Sequence, residues 1–220
     1  MADLKYIYTR NYENLEKRTF SGVGEWNIPR IQAVDYVPGT DWVSFLDAKK
    51  NASKNASCHF YLDDYRFLRV WNNPEIYVPT LARFAQVLSP DFSLFSDYPK
   101  AIQLYNHYRK HWLAAFWQER GVRVIPTICW STPDSYDWCF EGEPTESVVS
   151  VSSVGCCMSA ANKAAFNDGY AAMLETLHPS QVIYFGKDIL NDENAFNTED
   201  IVFVKSVFTD KFPDKSKEVV

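Results

Sequence analysis

Carboxylates, hydroxyls and one tryptophan gather immediately after the apolar runs of this chain. Asp63 and Asp64 follow Ser57–Leu62; Asp91 and Ser93 lie within the run 91–95, and Ser96 and Asp97 follow it. Trp130, Ser131, Thr132 and Asp134 follow Val122–Cys129, Val154 and Gly155 follow Ser147–Ser153, and Gly186 and Lys187 follow Gln181–Phe185. Paired carboxylates can act as general acid and base or stabilise a developing cation. Asp64, Asp91 and Asp97 are therefore the candidate catalytic residues. Phe92, Ser93, Asn106, Arg109, Trp130, Ser131, Asp134, Ser152, Ser153, Gly155 and Lys187 are candidates for holding a substrate. Each also has an ordinary reading. Asp97 would cap a helix, Asp63 and Asp64 would cap a short segment, Ser131–Asp134 is turn chemistry, and Trp130 is core.

Other chemistries lack their signatures. No G-x-x-x-x-G-K-[ST] or G-x-G-x-x-G is present to cradle phosphates, and no G-x-S-x-G elbow presents a serine nucleophile. His107 and His111 stand four apart on an expected helix, but no H-E-x-x-H pattern accompanies them, so they read as structural and no metal is expected. No cofactor is expected either.

The elements that must position these residues follow from periodicity. Apolar residues recur at helical spacing from Asp97 to Arg120, with Asp97 as N-cap and Gly121 as the stop. Val122–Cys129 reads as a buried strand with a bulge or edge at Pro126. Ser147–Ser153 and Gln181–Phe185 read as strands, and 160–177 as a helix. Residues 91–95, 57–62 and 6–9 read as further strands, and 41–50 and 79–88 as helices. Such alternation predicts an α/β fold: a single domain over 1–210, mainly parallel sheet flanked by helices, open in preference to a small barrel. Residues 211–220 read as a polar, frayed tail. In such sheets ligands bind beyond the carboxyl ends of the strands, where the candidate residues lie.

Bulk properties agree. At 220 residues, 46% hydrophobic and 23% charged, the chain can bury a sizeable core. Five cysteines without a C-x-x-C pair read as free thiols. No apolar run reaches membrane-spanning length and no leader is recognisable, so no membrane partner and a cytoplasmic setting are expected. The net charge of −6 disfavours nonspecific wrapping of duplex DNA, while a pocket for a nucleotide stays compatible with it.

The segments PDFSLFSDYPKAIQLYNHYRKHWLAAFWQERGVRVIPTICW, SYDWCFEGEP and SVVSVSSVG, with IPRI near 28 and HFYLDDYRF at 59, resemble a family of unknown function. Its members occur in phages, plasmids and bacterial genomes. The likeness spans roughly residues 25–187. It implies signature positions at Asp64, Asp91, Ser93, Asp97, Asn106, Arg109, Gln118, Pro126, Trp130, Cys139, Gly142, Ser152 and Gly155. A second Arg common in the family is replaced here by Lys110 or His111. The distribution implies work on nucleic acid or nucleotides in phage–host conflict.

The residues and the resemblance together favour an enzyme cleaving an N-glycosidic bond, of the DNA-base glycosylase kind. Such an enzyme stacks a flipped base on an aromatic ring and places an Asp near the sugar. The alternatives are a non-enzymatic module that binds a nucleotide or partner protein, and a metal-dependent phosphodiesterase.

Overall fold

The computed structural model describes residues 13–192 and 201–204. The expected strand at 6–9 and the tail at 211–220 lie outside them. A two-residue antiparallel pair, β1 (Gly22–Val23) and β2 (Ile28–Pro29), precedes the main strands. Then come β3 (Asp41–Ser44), β4 (Ala56–His59), β5 (Gln86–Leu88) and β6 (Val124–Ile125), all parallel and neighbours in chain order. A second parallel set follows: β7 (Val148–Ser152), β8 (Gln181–Phe185) and β9 (Ile201–Val204). The parallel α/β fold is thus as the sequence indicates.

The two sets meet at a seam. Pro126 interrupts β6 because it has no N–H to give the ladder. Its carbonyl accepts the Ser150 N–H (2.8 Å), the Ile128 N–H reaches the Ser150 carbonyl (2.7 Å), and Thr127 bridges Ser150 in parallel. On the β5 side the Ser89 hydroxyl oxygen accepts the Thr127 N–H at 2.8 Å, so a side chain continues the ladder.

Strand side chains alternate between two environments, as period-2 geometry requires. Cys58, Val87 and Val124 face outward into a core shared with Trp112, Phe116 and Trp117 of the central helix (Lys100–Gln118). Val149, Val151, Val182 and Tyr184 face a second core with Phe166, Tyr170 and Met173 of the helix Ala160–Leu177. Leu88, Ile125, Val148, Ile183 and Phe185 point the other way and meet one another. There Trp42 of β3 stacks edge-on against Phe185 of β8, with centroids 5.1 Å apart. The sheet therefore curls until its first and last strands share an inner core. Among the described residues no ladder joins β3 to β9, so it stays open.

Several expected elements differ. Residues 91–95 form no strand: Phe92 N–H turns back to the Pro90 carbonyl (3.1 Å), and the Ser93 N–H goes to the Asp64 side chain. The backbone donors are committed elsewhere, and the strand of this segment is Gln86–Leu88 instead, paired on both sides between β4 and β6. Residues 79–88 accordingly are not one helix. A helix starts earlier, at Pro74, and ends at Leu81. Residues 41–50 divide into β3, a 3-10 turn (Phe45–Asp47) and a short helix (Ala48–Asn51). The central helix begins after the extended Pro99, so Asp97 is not its N-cap. The helix Ala160–Leu177 matches its expected span, with Ser159 capping the Asn162 N–H (3.0 Å) and left-handed His178 closing it.

Candidate active site at the carboxyl ends of the strands

β4 and β5 run out side by side into loops carrying Tyr61, Asp64, Asp91 and Ser93. Asp64, half-buried at the start of a one-turn helix (Asp64–Phe67), accepts the Ser93 hydroxyl at 2.8 Å and the Ser93 N–H at 3.2 Å. The Ser93 carbonyl accepts from Asn106 Nδ2 at 2.7 Å. The Asn106 side-chain oxygen in turn accepts from the Arg109 guanidinium, which lies 4.0 Å from the centroid of Phe92 and 4.6 Å from that of Tyr105. One turn of the central helix therefore holds the β5 loop, and the loop holds Asp64. Burial lowers the Arg109 pKa, an effect that the Asp64 and Tyr105 charges oppose.

Asp91 is the most perturbed carboxylate of this end. Burial pushes its pKa up to about 7, the neighbouring Asp64 charge adds to the rise, and the Lys110 ammonium opposes it. Two carboxylates close enough to repel, one fixed by Ser93 and the other near neutrality, are an arrangement suited to proton transfer. Tyr61 lines the same end. The Ser150 hydroxyl donates to the Ile183 carbonyl (3.0 Å), which leaves Tyr61 as the donor to Ser150 (2.9 Å). Burial and the Asp91 charge raise the Tyr61 pKa well above its ordinary value. His59, one residue pair back on the same inner face, is held neutral by burial, with its pKa lowered to about 4. Its Nδ1 finds no partner among the described residues.

The remaining candidates divide. Burial raises the thiol pKa of Cys129 and Cys156, the latter helped by Cys157, and the Asp91 charge adds to both, so the loops after β6 and β7 lie within electrostatic reach of Asp91. Ser152 accepts the Val154 N–H (3.2 Å) within its own turn, and Ser153 donates to the Lys187 carbonyl (2.7 Å), which ties the end of β7 to that of β8. Gly155 turns at φ +88° with open space where a Cβ would stand. The half-buried Trp130 lies against the helix Ala160–Leu177: a Cβ on Gly169 would come within 2.1 Å of its indole nitrogen. Ser131 donates its N–H to the Ser135 hydroxyl (3.0 Å), and the exposed Asp134 accepts from Thr132. Phe92 is buried beneath Arg109, and Asp97 is exposed in the turn before the helix, with no hydrogen bond to the pair among the described residues.

Sequence reasoning missed Tyr61, His59 and Lys110 here. The first two were legible as the inward register of β4, since 57, 59 and 61 share a face. It also missed the aromatic rim: Tyr65, Phe95 and Tyr98 are exposed on the loops after β4 and β5. A concavity of about 920 Å³ lies elsewhere, beside Lys54, Phe84, Gly121 and Arg123 where the strands begin. None of the candidate residues lines it.

The chain belongs to the family described as domain of unknown function DUF4417, whose model matches residues 20–204. It is similar to the "Gene 1 protein" of Mycobacterium phage L5, 36% identical over 173 residues, covering 78% of this chain and 76% of that one. The "Gene 1 protein" of Mycobacterium phage D29 is likewise 36% identical, and the match spans 64% of its length. No solved structure matches. The family is thus phage-borne. None of the helices of the described residues is long and apolar enough to cross a membrane.

Proposed function

We propose that this member of DUF4417 is a hydrolase that uses the Asp64–Asp91 pair to cleave an N-glycosidic bond in nucleic acid. The observation that carries the reading is the division of labour between the two carboxylates. Ser93 pins Asp64 with two donors, whereas Asp91 has its pKa raised to about 7 by burial and by Asp64. A group with a pKa near neutrality is best placed to take a proton from an attacking water. In this scheme the water oxygen bonds to the sugar carbon and the carbon–nitrogen bond breaks. The base leaves with the electron pair, and Asp91 takes the water proton. Asp64 lies where its negative charge would favour the oxocarbenium-like centre. Tyr65, Phe95 and Tyr98 on the rim offer faces on which bases can stack.

The test is incubation with unmodified and hypermodified phage DNA and with single-stranded nucleic acid, followed by mass spectrometry of released bases. Release by the wild type and its loss in Asp91→Asn and Asp64→Asn support the reading. Undiminished release by both variants would remove the pair from the reaction. Nucleotides bound tightly and recovered unchanged would favour a binding module instead. Strand cleavage that requires an added divalent ion would favour the phosphodiesterase.

A further inference from the structure

His107 and His111 stand one helical turn apart on the central helix, with ring centroids 4.3 Å apart, and both are fully buried. Each imidazole is anchored by its outer nitrogen. His107 Nε2 lies 3.1 Å from the Glu141 carbonyl oxygen, and His111 Nδ1 lies 2.8 Å from that of Pro29. A carbonyl only accepts, so those nitrogens carry the protons. In the neutral rings the lone pairs then belong to His107 Nδ1 and His111 Nε2. Backbone carbonyls fix the tautomers of metal-ligating histidines in this way.

The chain returns from β6 to bring a third donor, Glu143, to the same place. Glu143 Oε1 lies 3.0 Å from His111 Nε2, while Glu143 Oε2 and His107 Nδ1 are buried and have no hydrogen-bond partner among the described residues. One donor atom from each of the three side chains lies within 4.8 Å of the others. Gly142 makes the approach possible. It sits at φ +78°, and a Cβ there would stand 2.7 Å from the Pro29 carbonyl and 2.9 Å from His111 Nδ1. The lone pair of His111 Nε2, 3.0 Å from Glu143 Oε1, is repelled by the carboxylate unless a cation takes it up.

We propose that His107 Nδ1, His111 Nε2 and the Glu143 carboxylate form a buried site for a divalent transition-metal ion of the zinc class. Two imidazoles and one carboxylate suit zinc, cobalt and nickel, whereas magnesium and calcium select all-oxygen shells. Zinc–nitrogen bonds of about 2.0–2.1 Å bring tetrahedral ligands to roughly 3.4 Å of one another, a modest contraction of this cluster. The burial of every ligand makes the site structural: it would lock the β2 segment and the 141–143 turn onto the central helix. Lys110 opposes the ion. Its ammonium bonds to Glu143 Oε1 and to the Thr127 carbonyl (2.9 Å), so the metal must take Oε2. The competing occupant is a proton, which would make His111 an imidazolium. This inference is independent of the Asp64–Asp91 reading, because it needs no substrate and no turnover.

The full chain is purified without chelator, incubated with excess zinc, gel-filtered and assayed by elemental mass spectrometry. The expected result is one zinc per chain. Cobalt loaded after chelator treatment should give visible d–d bands shifted from those of the hydrated ion by the two imidazole nitrogens. His107→Gln and Glu143→Gln should each weaken binding by at least about a hundredfold, more than loss of an outer-shell partner does. Lys110→Met should tighten it. If the ligand variants do not fold, the wild type alone decides: chelator treatment should lower its Tm, and zinc but not magnesium should restore it. A zinc-treated wild type that carries no stoichiometric metal, with a Tm indifferent to zinc, overturns the site and leaves the proton as its occupant.

Discussion

Ser93 gives Asp64 both of its donors, the hydroxyl at 2.8 Å and the backbone N–H at 3.2 Å, across the gap between the β4 and β5 loops. The bond pair spans 29 residues of sequence, and it places one carboxylate beside Asp91 in a fixed pose.

With Asp91 as the proton acceptor and its pKa raised to about 7, the rate should climb as pH rises through neutrality and then level off. Asp91→Asn should lower the plateau above pH 7 by about 10²–10⁴-fold, the range ascribed to general acid–base catalysis, and abolish the rise, so that the gap narrows at acid pH. A pH–rate profile for base release decides the matter. A rate that falls above pH 7 would assign Asp91 the opposite role, as proton donor.

The same shift has a cost in stability. Asp91 titrates near 3.8 in the unfolded chain and near 7 when folded, so the folded state binds the proton more tightly. That contribution is fully present below pH 4 and disappears as pH rises through 7. Asp91→Asn should therefore be more stable than the wild type at pH 8, by about 1–2 kcal/mol once solvent access is allowed for, with the difference closing near pH 4. Urea denaturation of both proteins at the two pH values measures it.

Asn106 links Ser93 to Arg109 from a buried position on the central helix. Asn106→Ala leaves the Ser93 carbonyl and the guanidinium unpartnered at that point, at a cost of about 1–3 kcal/mol. Arg109→Lys should lose the planar contact with Phe92 and the fork geometry together. Both variants should lower kcat more than they raise KM, because they free the Asp64 loop rather than remove a substrate contact. An equal loss in both parameters would point to a global packing defect.

Trp130 and Gly169 fit at van der Waals limits. Gly169→Ala would place a methyl 2.1 Å from the indole nitrogen, so the ring must move off the helix Ala160–Leu177. We expect destabilisation of about 1–3 kcal/mol in spite of the better helix propensity of alanine. A thermal melt reads the cost, and a red shift of tryptophan emission reports the displaced ring.

Much of this was legible in the chain itself. The helix Ala160–Leu177, β7 and β8 follow from periodicity and caps, since local pattern and tertiary role agree there. The 91–95 segment misled because its alternation of apolar residues is real: Phe92 and Leu94 are buried. Its backbone donors, however, serve a turn and a side chain far away in sequence, which no local pattern encodes. Asp97 misled for a related reason, because a cap geometry depends on where Pro99 lets the helix begin. The approach of Glu143 to His107 and His111 is likewise set by the fold, although the Gly142 turn of the FEGEP segment marked the place where the chain draws close.

The seam at Pro126 gives this protein a built-in joint. Along the backbone, one parallel bridge and a few loop bonds join two sheets that have separate outer cores and share only the inner one. The amides of Thr127, Ile128 and Ser150 should then exchange with solvent sooner than those deep within β4 or β8, as at a boundary between cooperative units. Asp91 leaves β5 on one side of that boundary, while the Tyr61–Ser150 bond straddles it. A small rotation at the joint would change the spacing between the reacting carboxylate and the strand ends facing it. The aperture of this edge is thus set at Pro126, eight residues past the end of the central helix and just outside β6, a mechanical setting rather than a chemical one.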